Sequence, residues 1–157
     1  MRTVEYIVID TSEQGTWMRY DRALDLKAEV GQEGSDRVAL NPQFDAAAWV
    51  NDVGHLKPED YPRNVFGSCV LATLGAPPRP YAGPIVITGW DRVEEITDVD
   101  GPLIEYVIDT VRYALGIDPD PEGVVHGTAW ARDLRKHAES LKSAPAPTIQ
   151  AIPWEES

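Results

Sequence analysis

Over residues 1–90 the apolar positions come in short runs broken by turn residues, whereas beyond residue 100 they recur every three or four positions. Val4, Tyr6 and Val8 alternate with Glu5, Ile7 and Ile9. Both faces of this run are largely apolar, which predicts an interior strand over 3–10. After the loop SEQGT, Ala23, Leu26, Lys27 and Val30 fall near one helical face ahead of Gly31, predicting a helix over 18–30. A brief strand over 37–41 is broken by Asn41-Pro42, and another over 46–51 runs into the turn Asn51-Asp52-Val53-Gly54. Asn64 as N-cap and Gly75 just past the end bracket a helix over 64–74. The prolines of APPRPYAG forbid helix after it, and PIVITG predicts a strand over 84–90.

Downstream the period changes. Asp91 to Asp100 is an acidic connector, and Asp100-Gly101-Pro102 opens a helix with Leu103, Ile104, Val107, Ile108, Val111 and Leu115 at helical spacing before Gly116. Glu105, Asp109 and Arg112 take its other face. A second helix over 128–143 carries Trp130, Leu134, Ala138 and Leu141 on one stripe, so the two suit an antiparallel hairpin. The predicted fold is α+β, with a small mixed or antiparallel sheet covered by the helices at 18–30 and 64–74. A C-terminal helical hairpin at 102–143 packs on or beside it. Residues 1–143 form one domain, and 144–157 a proline-rich tail, extended or disordered unless something holds it.

Net charge sharpens this picture by its distribution. The chain carries −12, of which −8 lies between residues 91 and 122, where ten acids face two bases. Such a field repels nucleic acid and anionic lipid and steers basic protein surfaces. Direct nucleic-acid binding is therefore not expected, and no apolar run is long enough to span a membrane. The N-terminus reads as a strand and not as a signal segment, which points to the cytosol. Cys69, the one cysteine, sits in an apolar segment and reads as a small core hydrophobe.

Few residues assemble into chemistry. Asp118, Asp120, Glu122 and Gly123 match the first half of a calcium loop, but its twelfth position is Ala129, so an acidic turn is the expectation and no metal. His55, His126 and His137 lie on separate elements, and Ser68 lacks a nucleophile elbow. No catalytic residue and no cofactor is assigned. Asn51, Asp52 and Asn64 are candidates for a polar small-molecule or nucleotide ligand, against the plainer reading that they shape a turn and a cap. Asp98, Asp100, Glu105 and Asp109 are candidates for partner contact, as are Ile149, Ile152 and Trp154. Those three are too apolar for a segment that builds no core of its own, and they fold back onto the domain or dock elsewhere. The apolar stripes of the hairpin serve a homodimer as readily as a core.

The helix closing in Val30-Gly31, the aromatic strand running from Trp49 into Asn51-Asp52-x-Gly54, Pro62 and Asn64 opening a small helix, and the strand from Gly83 to Gly89 form a succession. Over residues 1–90 it resembles the DUF3846 family of small phage and mobile-element domains. The resemblance implies no catalytic residues. With the acidic face and apolar tail it leads to the expectation of a non-enzymatic accessory protein that binds a host protein, counter-defence being one form of that role. The alternatives are an acidic nucleic-acid mimic acting on a DNA-handling protein, and a small-molecule binder using the Asn51 to Asn64 region.

Overall fold

The computed structural model describes residues 3–143. Strands β1 (Thr3–Ile9), β2 (Trp17–Ala23), β3 (Ser35–Ala39), β4 (Ala46–Asn51), β5 (Ile85–Trp90) and β6 (Ile96–Thr97) form one antiparallel sheet. The order is β2-β1-β5-β4-β3, and β6 pairs with β5. The fold is α+β, and β1 is interior as its two apolar faces require. Helices α1 (Leu26–Val30), α2 (Val65–Thr73), α3 (Gly101–Leu115) and α4 (Ala129–Ser143) complete it.

The period-two pattern assigns the layers. Ile7, Ile9, Ala46, Ala48, Val50, Ile85 and Ile87 share one core with residues of α2, α3 and α4. Val4, Tyr6 and Val86 face the other way and pack with Val30 of α1. Each fully buried aliphatic or aromatic side chain of these layers contributes about 1.5–3 kcal/mol. Helix α2 shows why it needed two clear caps: Phe66 through Leu71 are all buried, so it has no broad solvent face and packs beside the hairpin against the sheet. Its approach to β5 is close, since a Cβ on Gly67 would stand 2.6 Å from Ile85 Cδ1.

Three expectations are corrected. The helix over 18–30 is a strand followed by one helical turn. Residues 17–23 pair with β1 along seven positions, from Thr3 opposite Ala23 to Ile9 opposite Trp17. Only after Asp25, which caps the backbone N–H groups of Lys27 and Ala28, does helix begin. Pairing with an apolar neighbour overrides the local spacing of Ala23 and Leu26. The acidic connector contains β6, joined to β5 by a tight turn in which Asp91 accepts from the backbone of Val93 and Glu95. On α4, Ala131 takes the buried place beside Leu134, Ala138 and Leu141, and Trp130 points outward. Consequently α2 and the α3–α4 hairpin form one layer, and only the short α1 covers the opposite face.

Candidate functional site

Asn64 is fully buried. Its Nδ2 donates to Ile9 O and Gly83 O, both at 3.0 Å, and its Oδ1 accepts from Gly67 N at 2.8 Å. One side chain thus caps α2 and ties it to the end of β1 and the start of β5. Asn51 does comparable work at the end of β4: Nδ2 donates to Val30 O and Glu33 Oε1, and Oδ1 accepts from Val53 N. Both amides are committed to internal partners. Asn51 and Asp52 both line a concavity of about 360 Å³ with Arg79 and Tyr81, and the buried Asn64 is not part of it. Asp52 is exposed, and its backbone N–H donates to Gly34 O.

The polar cluster beside Asn51 was not visible as a pattern. Glu33 Oε1 accepts from Tyr61 OH at 2.6 Å as well as from Asn51, and Glu33 Oε2 accepts from Lys57 Nζ at 2.9 Å. These donors, Tyr61 first, hold the Glu33 carboxyl down to about 2. The cluster joins the loop before β3 to the loop before α2. Its nearest sequence signal was Gly31, whose Cβ would collide with Asn51 Nδ2 and the Tyr61 hydroxyl.

Elsewhere the reactive groups are inert or dispersed. Cys69 is fully buried, and burial pushes its thiol up to about 12. Ser68 is buried, donates to Asn64 O and accepts from Tyr81 N. His55 lies in the turn after β4, His126 ahead of α4 and His137 within it. Asp118 pairs with Arg112 at 2.7 Å, which also holds its carboxyl below the usual range, and Asp120 accepts from Val125 N and His126 N. The half calcium loop is thus a bonded turn, and no group of three metal-ligating side chains occurs among the described residues. Arg112 also donates to Gln14 O and Gly15 O, clamping the β1–β2 loop to α3.

The acidic candidates divide. Asp98 accepts from Glu5 N at 2.9 Å, extending the sheet past the end of β5, and Asp100 caps α3 through Leu103 N. Glu105 pairs with Arg19 of β2 at 2.8 Å. Asp109 is exposed on the outward side of α3, and next to this stretch Tyr106 is 70% exposed. Ile149, Ile152 and Trp154 lie outside the described residues.

A concavity of about 610 Å³ opens between the β1–β2 loop, the start of α2 and the hairpin. Val65, Phe66, Leu115, Ile117 and Ala138 make its apolar floor, and Arg63, Arg135 and Lys142 supply cations at its margin. No known protein family, curated protein or solved structure matches this chain.

Proposed function

We propose that this protein acts by binding a protein partner with a basic surface, and that the outward face of α3 makes the contact. The observation that carries this reading is Tyr106, 70% exposed between Glu105 and Asp109 in a window of net charge −8. A large exposed aromatic costs hydration and has no internal task. Tyrosine is enriched where protein interfaces concentrate their energy, and a partner's Arg or Lys can engage both its ring and the exposed Asp109 carboxylate. The Arg19–Glu105 pair fixes the base of this face against β2. The surrounding field draws a basic partner at long range and is screened by salt.

The further reading, that the partner is a host protein and that the protein works in the host cytosol for a phage or mobile element, rests on the resemblance of residues 1–90 alone. A nucleic-acid mimic is less favoured. Asp91, Asp98, Asp100, Glu105, Asp118 and Asp120 each serve an internal hydrogen bond or ion pair, so they form no free row of phosphate substitutes.

The test compares the full chain with Tyr106→Ala and Asp109→Lys in capture from a host lysate at rising salt. The reading expects a protein retained at low salt, with retention falling at least tenfold in each variant. Retention unchanged in both variants would refute this address on α3.

A further inference from the structure

We infer that this chain self-associates through the outward edge of β2, two copies pairing antiparallel about Tyr20 so that their sheets become continuous. This does not rest on the partner-binding reading, which uses Tyr106 and Asp109 of α3.

Strand β2 lies at one end of the sheet and pairs along its seven residues with β1 alone. Two observations fix the direction of its backbone groups. Asp10 N donates to Thr16 O at 3.1 Å, one step beyond the Ile9–Trp17 pair, so by the antiparallel alternation Met18, Tyr20 and Arg22 exchange hydrogen bonds with β1. Arg19 and Asp21 then turn their N–H and C=O groups away from the sheet. Glu5, opposite Asp21, agrees: its N–H goes to Asp98 Oδ1 and its C=O accepts from Val99 N, both on the far side of β1. Among the described residues nothing bonds the outward backbone groups of Arg19 and Asp21. Such an edge is a template for another strand.

Charge selects the occupant. Charged side chains ordinarily blunt an edge, but those of β2 stand in an order that complements their own copy. An antiparallel pair centred on Tyr20 uses all seven residues and sets Arg19 opposite Asp21 of the second copy, twice by symmetry. Moving the centre by one residue either way would set Arg19 against Arg19 or Asp21 against Asp21, so repulsion guards the register that attraction favours. Asp21 is exposed, and its carboxylate has no internal partner among the described residues. On the other face Met18, 55% exposed, meets Arg22 of the second copy, and the two Tyr20 rings meet at the axis. The opposite edge of the sheet lacks this property: β3 has five residues, and its full-length self-pairing would set Arg37 against Arg37.

The test follows the full chain by sedimentation equilibrium and by amide exchange over a concentration series. The mass is expected to rise toward twice 17.4 kDa, with the amides of Arg19 and Asp21 gaining protection in step with it. Arg19→Asp and Asp21→Arg each set like charges opposite one another and should weaken self-association about tenfold. Mixed in equal amounts, the two variants should recover the dimer, because every carboxylate at positions 19 and 21 of one chain then faces a guanidinium of the other. Arg19→Asp also gives up the Glu105 pair, so circular dichroism checks its fold; should it not fold, Asp21→Arg and the exchange data on the unmodified chain carry the test. A monomer at every concentration overturns the inference, as does a dimer that leaves the Arg19 and Asp21 amides in fast exchange, which assigns association to another surface. Protection of those amides in the monomer overturns it too, since the chain then covers its own edge, and so does a mixture of folded variants that fails to pair.

Discussion

Replacing Asn64 by alanine separates a structural asparagine from a ligand-binding one. The substitution removes two donations, to Ile9 O and Gly83 O, and one acceptance from Gly67 N, all at a position with no solvent access. Loss of an N-cap costs about 1 kcal/mol. Each buried carbonyl deprived of its donor adds about 1 kcal/mol, since no water replaces it. The expected deficit is therefore about 3 kcal/mol, or a fall in melting temperature of roughly 6–12 °C for a domain of this size. Urea unfolding followed by circular dichroism reads it. Asn64→Asp keeps the acceptor for Gly67 but turns a carboxylate toward two carbonyls, so its folded-state pKa is raised. Its stability deficit then grows as pH rises above the ordinary carboxylate value and shrinks on acidification. A deficit under about 1 kcal/mol for the alanine variant would refute the argument, and would return Asn64 to the ligand-binding reading.

Gly89→Ala should be among the most damaging single-methyl additions, since its Cβ would collide with Asp98 O and Thr97 Oγ1; loss of β6 pairing, read by amide exchange at 96–99, is the expected result. Glu33, with its carboxyl held at about 2, contributes stability that is fully present above the unfolded value near 4.5 and is lost as pH falls toward 2. Glu33→Gln should flatten the acid limb of the stability profile in that window, and an unchanged limb would show that Tyr61, Lys57 and Asn51 do not act on it. Cys69 should resist maleimide in the native protein and react only at the rate of unfolding, because its thiol is buried and pushed up to about 12. Rapid native labelling would show an opening in α2 that the packing does not allow.

What could be read in advance, and what could not, follows from whether the determinant was local. Helix α2 was legible because Asn64 and Gly75 lie next to the residues they cap, and α3 because Asp100-Gly101-Pro102 and the apolar stripe sit in one stretch. Strand β2 was not legible. Its residues are mostly exposed on both faces, as an edge strand's can be, and its identity comes from seven pairings with β1. Two-residue β6 exists only where the chain folds back on β5, leaving no period to detect. The Glu33 cluster draws partners 18 to 28 residues away, and the concavity of about 610 Å³ draws on positions from Thr11 to Lys142. The acidic window was visible as composition, but composition does not tell Asp98, bound to the backbone of Glu5, from Asp109 at the surface. Nor did the sequence pattern single out Tyr106, which becomes notable only because α3 buries Val107 and Ile108 and turns residue 106 outward.

The most direct test of partner binding through α3 places a photo-crosslinking amino acid at position 106 and, separately, at the exposed position of Arg37 on the opposite face. Irradiation in host lysate at low salt should yield an adduct with one protein from position 106, which disappears when Asp109→Lys is added or salt is raised. Equal adducts from both positions, or none from 106, would contradict the account.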